Sequence, residues 1–406
     1  SENNDKNLSR GIQNQLISAL STTVLLPIVP KEETDQINSK SFALENLARE
    51  HNVGFLISGS TSVQGNKFRV NLELLDLDNQ KSVWSYMKDF LTDESFTAQD
   101  EIEFEVRKAI QEKFTMGKAF SDSFVKYFGK GELYRDALKA WAAFQKKEGQ
   151  TSGTNYSDAF KKIKNEHPDN SLAHLLYAIS LYNEQEGSNY SEKRSNILKS
   201  VRLANTLEPK NSMAYPVKAF IEYRYAEETN LRSVIAFTGL DMEPDNYLTS
   251  IWTGHAFWHQ DAVVSKFDTE ILFNSEYFEK ALKIAPYGSP TTKLFLLAAY
   301  SEEKRTEKAN KIVKEMIEDN DKLLNFLGII SKVFLLSEEG NKDKAKQILK
   351  KYMDRSQLSP EDILDNFTKF PFQKIHEVFF NLRYLPAIQE AMGMKTDQSE
   401  SYLYNE

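Results

Sequence analysis

The chain has 406 residues, more than a single hydrophobic core usually serves, so we expect about two or three domains. Its 51 Lys plus Arg and 59 Asp plus Glu give a formal net charge of -8, and no long basic block could follow a phosphate backbone. Nucleic-acid binding by this segment is therefore disfavoured. Zero cysteines exclude disulfides, thiolate zinc sites, iron–sulfur clusters and cysteine nucleophiles.

Apolar runs and the N-terminus bear on targeting. No stretch approaches the roughly 18 to 20 consecutive apolar residues that a membrane-spanning helix needs. The first residues lack the charged start, apolar middle and small-residue cleavage site of a signal peptide. A helical apolar face begins at once instead, at Leu8, Ile12, Leu16, Ile17 and Leu20. We therefore expect a soluble fragment of a longer protein.

Alternating patterns in the first hundred residues predict a small sheet. Residues 8–20 favour a helix, Thr23–Ile28 a short strand that Pro27 and Pro30 confine to an edge or an end, and residues 41–51 a second helix. From Gly54 apolar residues alternate up to a turn at Gly65-Asn66. Two further strands, within 68–74 and 82–90, complete a three-stranded meander.

A helical pattern closes this first domain. Apolar residues recur at helical spacing at Phe96, Ile102, Val106, Ile110 and Phe114. Ser95 or Thr97 is the expected cap of this helix. The sequence therefore predicts that residues 1–117 form a small α/β domain with a mixed sheet.

Four similar phrases follow, each after an apolar-periodic helix. They are His167-Pro168-Asp169-Asn170, Glu208-Pro209-Lys210-Asn211, Glu243-Pro244-Asp245-Asn246 and Ala285-Pro286-Tyr287-Gly288. Their prolines lie 41, 35 and 42 residues apart, near the period of about 34 residues of tetratricopeptide helix pairs. Small residues such as Ala178, Ala204 and Ala281 would let paired helices approach closely.

Helical patterns continue toward the C-terminus. A weaker unit covers Ala309–Glu318 and Leu323–Leu336, and a further helix covers Lys342–Tyr352. We predict an all-α tetratricopeptide-like repeat array over residues 118–395 and a C-terminal tail over residues 396–406. The fold class is therefore α+β: the small α/β domain followed by the helical repeat array.

Several motifs of the first domain carry a family resemblance. Leu47-Ala48-Arg49-Glu50, Phe55 to Ser60, Gly65 with Phe68-Arg69-Val70, Leu74-Leu75-Asp76, Val83-Trp84, and Phe96 with Gln99 to Ile102 resemble the TolB-amino-terminal-like (FlgO-like) domain. The family's opening hydrophobic strand has no counterpart here, and the repeats diverge from their consensus. The resemblance therefore implies the fold but transfers no ligand-binding residues.

That domain followed by tetratricopeptide repeats is similar to two groups of bacterial proteins. These are class III adenylate or guanylate cyclases and membrane-anchored winged-helix regulators of the CadC or ToxR kind. In both groups the effector domain lies upstream, and many members have a transmembrane helix between it and this region. The tail phrase Phe370-Pro371-Phe372-Gln373-Lys374, followed by Phe380, Leu382, Ala387 and Met392, resembles the cyclase group.

Aromatic and histidine residues near position 255 form the most chemically suggestive cluster: Trp252, His255, Trp258 and His259. On a helix the two histidines share a face with spacing suited to metal. Ala256, however, replaces the glutamate of a zinc-protease helix, and no third ligand is near in sequence. A metal site, a ligand-facing patch in a concave groove and packing between repeats stay open, with packing favoured.

Tyr215, Tyr223 and Tyr225 are further candidates for the groove, although tyrosines more often wedge between helices. The expected partner is a protein, a peptide or a small ligand in the groove of the array, with no nucleic acid and no membrane contact. A homodimer would form through the parent protein. No cofactor, metal or catalytic residue is predicted.

The function predicted from these patterns is that of a non-catalytic sensor or interaction region in a larger bacterial signalling protein. A class III cyclase is the first candidate for the parent, which would then be an enzyme although this fragment is not. Alternatives are the periplasmic sensor of a CadC/ToxR-type regulator and a stand-alone repeat scaffold. The resemblance places the segment in a soluble part of an inner-membrane protein, periplasmic rather than cytoplasmic.

Overall fold

A computed structural model describes residues 2–23, 28–29, 53–77, 79–147, 156–184, 190–226, 232–257, 274–287, 290–319, 322–368 and 384–394. The chain divides into two units, Ser1–Thr115 and Met116–Glu406. A three-stranded sheet with helices forms the first unit, and helix follows helix in the described part of the second. The predicted α+β class is confirmed. No helix within the described ranges is long and apolar enough to cross a bilayer.

An antiparallel meander forms the sheet of the first unit. Its strands are β1 (Phe55–Gln64), β2 (Lys67–Asp76) and β3 (Lys81–Leu91), in the order β1-β2-β3. Gly65, whose φ is +63°, and Asn66 make the predicted two-residue turn. Phe68 and Phe90 face each other across β2 and β3, with ring centroids 5.4 Å apart. The predicted meander is confirmed.

Two helices cover one face of this sheet, α1 (Glu2–Thr23) and α2 (Ser95–Ile110). Helix α1 contacts β1 and α2, and α2 also contacts β3. Both helices, β2, β3 and the turn after α2 contribute to one buried core, against which partly buried residues of β1 pack. Its buried members are Ile12, Leu16, Leu20, Phe68, Val70, Leu74, Phe90, Ala98, Ile102, Val106, Ile110 and Phe114. A π-helical turn, Gln111–Thr115, ends the unit.

Four details of the first unit differ from the prediction. Thr23 ends α1, and Ile28 lies outside any strand, so the strand predicted over 23–28 is wrong where the structure describes it. The described strands are all antiparallel, not mixed, because short turns join them. Phe96 is 81% exposed, and α2 begins at Ser95 without a side-chain cap. The helix predicted over 41–51 lies outside the described residues.

The second unit is a series of helices. They are α3 (Gly117–Phe128), α4 (Glu132–Lys147), α5 (Tyr156–Glu166), α6 (Ser171–Asn183), α7 (Tyr190–Leu207), α8 (Ala214–Ala226), α9 (Arg232–Met242), α10 (Tyr247–Phe257), α11 (Asn274–Ile284), α12 (Pro290–Glu302), α13 (Thr306–Glu318), α14 (Lys322–Glu338), α15 (Lys342–Ser356), α16 (Pro360–Thr368) and α17 (Leu385–Ala391). Sequence neighbours from α3 to α15 pack against each other. Helix α17 packs on α14 and α15 at the end of the series.

The four proline phrases form equivalent turns. In each, the residue before proline donates its backbone N–H to a carbonyl four residues earlier: Ile163, Ala204, Gly239 or Ala281. In the first three, asparagine then donates its backbone N–H to the carbonyl of the residue before proline. The next helix starts just after this asparagine. We call α6, α8 and α10, which follow these three turns, the A-helices.

Side chains connect each turn to the following one. The amide of Asn211 donates to the hydroxyl of Ser171 over 2.9 Å, and that hydroxyl donates to the Ala204 carbonyl. One repeat further on, Ser212 donates to the carboxylate of Glu243 over 2.5 Å. Each bond joins the first turn of one A-helix, or the residues just before it, to the turn of the next repeat.

Asn170 and Asn246 cap α6 and α10, and we expect Asn246→Ala to lower the free energy of unfolding of the array by about 1–2 kcal/mol. Asn246 Oδ1 accepts the N–H groups of Leu248 and Thr249, at 3.0 and 3.2 Å, in a fully buried setting. Chemical denaturation measures the loss. Asn341→Ala is the matched control, because Asn341 precedes α15 without a side-chain capping bond. Its effect should stay within about 0.5 kcal/mol, and equal losses would contradict the capping role.

Candidate functional site

Trp252 and His255 lie inside the array. Both belong to α10, and each is 3% exposed. The Trp252 ring lies 5.4 Å from that of Phe220 on α8, and the His255 ring 4.6 Å from that of Phe295 on α12. Burial lowers the pKa of His255 to about 3, so its imidazole is neutral. These two side chains therefore join neighbouring helices.

Trp252 and His255 are buried because other helices enclose α10. All 11 residues of α10 and all 13 residues of α6 are buried. A helix covered on every side offers no face to a groove. Packing between repeats, the favoured interpretation, describes where Trp252 and His255 lie in this structure, and ligand contact by the predicted groove residues stays a prediction. Trp258 and His259 lie outside the described residues.

The predicted tyrosines do not converge on one place. Tyr215 lies at the turn end of α8, where its hydroxyl donates to the Pro209 carbonyl over 2.8 Å. Tyr223 and Tyr225 belong to the last turn of the same helix, roughly 12 Å further along it at 1.5 Å per residue. The ring of Tyr225 lies edge-on to that of Tyr182, with centroids 5.9 Å apart. The three share one helix and partial exposure, but Tyr215 lies at the opposite end of that helix from the other two.

Metal-ligating side chains are the other candidate. Across the described ranges, no group of three or more His, Asp or Glu residues is placed to hold a metal ion. His255, the described member of the predicted pair, faces the aromatic rings of Phe220, Trp252, Phe278 and Phe295.

Helix α3 lies against helices of the array that are distant from it in sequence. It contacts both α6 and α10, two A-helices that belong to different repeats. Its first residue, Gly117, lies against Ile284 at the end of α11. At its other end, Asn170 donates a hydrogen bond of 2.7 Å to the Tyr127 carbonyl. We call the surface of α6 and α10 that α3 covers, with Asn170 and Ile284 at its two ends, the A-helix surface.

Several side chains of α3 are buried. Phe120, Phe124 and Phe128, spaced four residues apart, are buried, and Phe120 meets Trp141 of α4 edge-on with ring centroids 5.3 Å apart. Ser121 and Ser123 are buried as well. Helix α3 therefore buries an aromatic stripe, the residue class enriched at the cores of protein interfaces, together with two serines.

Carboxylates gather near the C-terminal end of α3. Burial raises the pKa of the Tyr127 hydroxyl, and the charges of Glu208 and Glu243 add to this effect. Lys126 Nζ lies 3.7 Å from Glu208 Oε2. Glu243 is held in place by Ser212 and by Asn246, whose amide donates to it over 2.9 Å. This end of the A-helix surface therefore favours a basic residue on the helix that occupies it.

The sequence prediction missed α3. The predicted boundary between the two domains falls at residue 117, and no separate helix is predicted directly after it. The available signal was the spacing of Phe120, Phe124 and Phe128, which predicts one apolar face of a short helix. That spacing carries no information about which surface the face covers.

Comparisons with known proteins add little. No family model and no curated protein matches the chain. Among solved structures, it is similar to a human IFIT1 dimer with PPP-AAAA, with 16% identity over 74% of this chain and 86% of that one, at a TM-score of 0.30. A human IFIT1 dimer with m7Gppp-AAAA gives 15% identity over 75% and 81%, at 0.29. Likenesses this slight have no bearing on what this chain binds.

Proposed function

We propose that this chain is a helix-binding interaction scaffold within a larger bacterial signalling protein. The observation that carries the proposal is α3, which lies across α6 and α10 as a bound helix would. Equivalent turns hold the A-helices in a fixed series and keep that surface preformed. The net charge of -8 favours protein or peptide partners over nucleic acid.

The resemblance to the TolB-amino-terminal-like domain implies an effector upstream. In the first version of the proposal the effector is a class III cyclase, whose active site forms between two chains. Partner binding to the array would then bias how the two catalytic domains pair. In the second version it is a winged-helix domain, and the array would bias DNA binding in the same way.

Cyclic nucleotide formation by the full-length parent tests this proposal. We expect the parent to convert ATP or GTP to a cyclic nucleotide, and its rate to change at least twofold when the array is deleted. Residues 1–406 alone should form no product, because the effector lies elsewhere.

Other results would change or contradict the proposed function. Sequence-specific DNA binding by the parent, without cyclase activity, would select the winged-helix version. A parent with an effector whose activity ignores the array would contradict the interaction role. Turnover by residues 1–406, abolished by changing one carboxylate or histidine, would show that the fragment is an enzyme.

A further inference from the structure

We propose that the A-helix surface is the array's partner site and that α3 is its exchangeable occupant, which an amphipathic helix of similar pattern replaces. This inference rests on the interaction role proposed above. The partner would present aromatic side chains at positions i, i+4 and i+8, small polar residues beside them, and a basic residue near its C-terminal end. Each of these features is taken from α3 itself.

The aromatic stripe defines the length and pattern of the partner. Helix α3 has 12 residues, so it is roughly 18 Å long at 1.5 Å per residue. Phe120, Phe124 and Phe128 fall on one side of it, and all three are buried. Recognition of a helix by an apolar surface commonly uses anchors with this spacing. Phe120 and Phe124 also lie beside Trp141 of α4, with ring centroids 5.3 and 6.5 Å away, so a partner with the same anchors would contact that ring as well.

Charges and small residues restrict the partner further. Glu208 and Glu243 lie near Tyr127, so an incoming helix should carry Lys or Arg where α3 has Lys126. Ser121 is fully buried, and its hydroxyl has no hydrogen-bond partner among the residues that the structure describes. A buried hydroxyl without a partner makes the seating of α3 less favourable, because release returns it to water.

Glycines at both ends would let α3 move as a unit. Gly117 has a φ of +70° and Gly129 a φ of +72°, a backbone region that glycine enters with little cost. The π-helical turn Gln111–Thr115 lies just before the first of them, and such turns are frequent at functional sites. Two permissive joints around a short rigid helix are typical of segments that move as one body.

An engineered disulfide tests the exchange directly. A Cβ at position 117 would lie 3.6 Å from Cβ of Ile284, within the usual span of about 3.5–4.5 Å for a disulfide. Because the chain has no cysteine, Gly117→Cys with Ile284→Cys gives one defined bond. The positive φ of Gly117 strains a cysteine there, so binding by the reduced variant supports the exchange only when wild-type chain binds as well. Oxidation then fixes α3 on the array, and reduction releases it in the same protein.

The probe is a fluorescent synthetic peptide of residues 116–129. We expect the reduced variant to bind it saturably in fluorescence anisotropy and the oxidised variant to bind at least tenfold more weakly. A peptide with all three phenylalanines changed to alanine should not bind. Wild-type chain should resemble the reduced variant, with an affinity lowered by the fraction of molecules in which α3 is seated.

Failure of this inference is distinct from failure of the proposed function. Equal binding by the two redox forms, or none by either, would show that α3 is a fixed structural helix, while the cyclase assay still tests the interaction role. If the variant does not fold, hydrogen exchange of wild-type amides 117–128 decides. Faster exchange on adding unlabelled peptide supports the inference, and unchanged exchange overturns it.

Discussion

Replacing Trp252 by alanine should lower the free energy of unfolding of the array by about 3–5 kcal/mol, the usual cost of truncating a buried aromatic side chain. Trp252 is 3% exposed and lies against Phe220 and His255, with ring centroids 5.4 Å away in both cases. Truncation leaves a cavity between α8 and α10 that the enclosed helices cannot readily close. Urea denaturation, followed through the transition of the second unit, measures the loss.

An exposed aromatic residue provides the control for Trp252. Phe96→Ala removes a ring that is 81% exposed, so the free energy of unfolding should change by less than about 0.5 kcal/mol. A loss of similar size for Trp252→Ala would place Trp252 outside the core. If Trp252→Ala weakened partner binding without changing the free energy of unfolding, the result would support a groove-lining role for Trp252.

Acid should destabilise the array through His255. Burial lowers the pKa of its imidazole to about 3 in the folded chain, from the ordinary value of 6.5. Below pH 6.5 the unfolded chain binds a proton that the folded chain refuses, so stability falls as the pH drops from about 6.5 toward 3. Between pH 7 and pH 4.5 this loss amounts to about 2–3 kcal/mol.

A variant without the imidazole isolates this effect. His255→Phe keeps an aromatic ring among Phe220, Trp252, Phe278 and Phe295 but cannot take up a proton. Carboxylates elsewhere titrate equally in both proteins, so the difference between their urea midpoints at pH 7 and pH 4.5 reports His255. Parallel pH profiles for the two proteins would contradict a buried neutral imidazole.

Local patterns predicted much of the fold. Alternation after Gly54 and the Gly65-Asn66 turn were enough for the meander, because one buried face and a two-residue turn set strand register. The prolines at 168, 209, 244 and 286 marked the helix ends correctly, because proline cannot continue a helix. Phe96 fits the helical period equally well, yet it is exposed, since helical spacing alone does not specify what covers the first turn.

Tertiary contacts decided what the sequence left open. Trp252 and Phe120 both lie on apolar helix faces. No local signal predicts that Trp252 packs against Phe220 of α8, or that Phe120 of α3 packs against Trp141. The order of helices along the chain also predicts packing between neighbours. Contact of α3 with α10, which comes several repeats later, depends on how the repeats are stacked.

The side-chain bonds between successive turns determine how the array comes apart. Asn211 holds Ser171 of the preceding repeat, and Ser212 is bonded to Glu243 of the following one. Opening one repeat therefore breaks hydrogen bonds that its neighbour needs, which raises the interfacial coupling in a one-dimensional array. Fraying from either end is suppressed, and these central repeats melt together as one cooperative block.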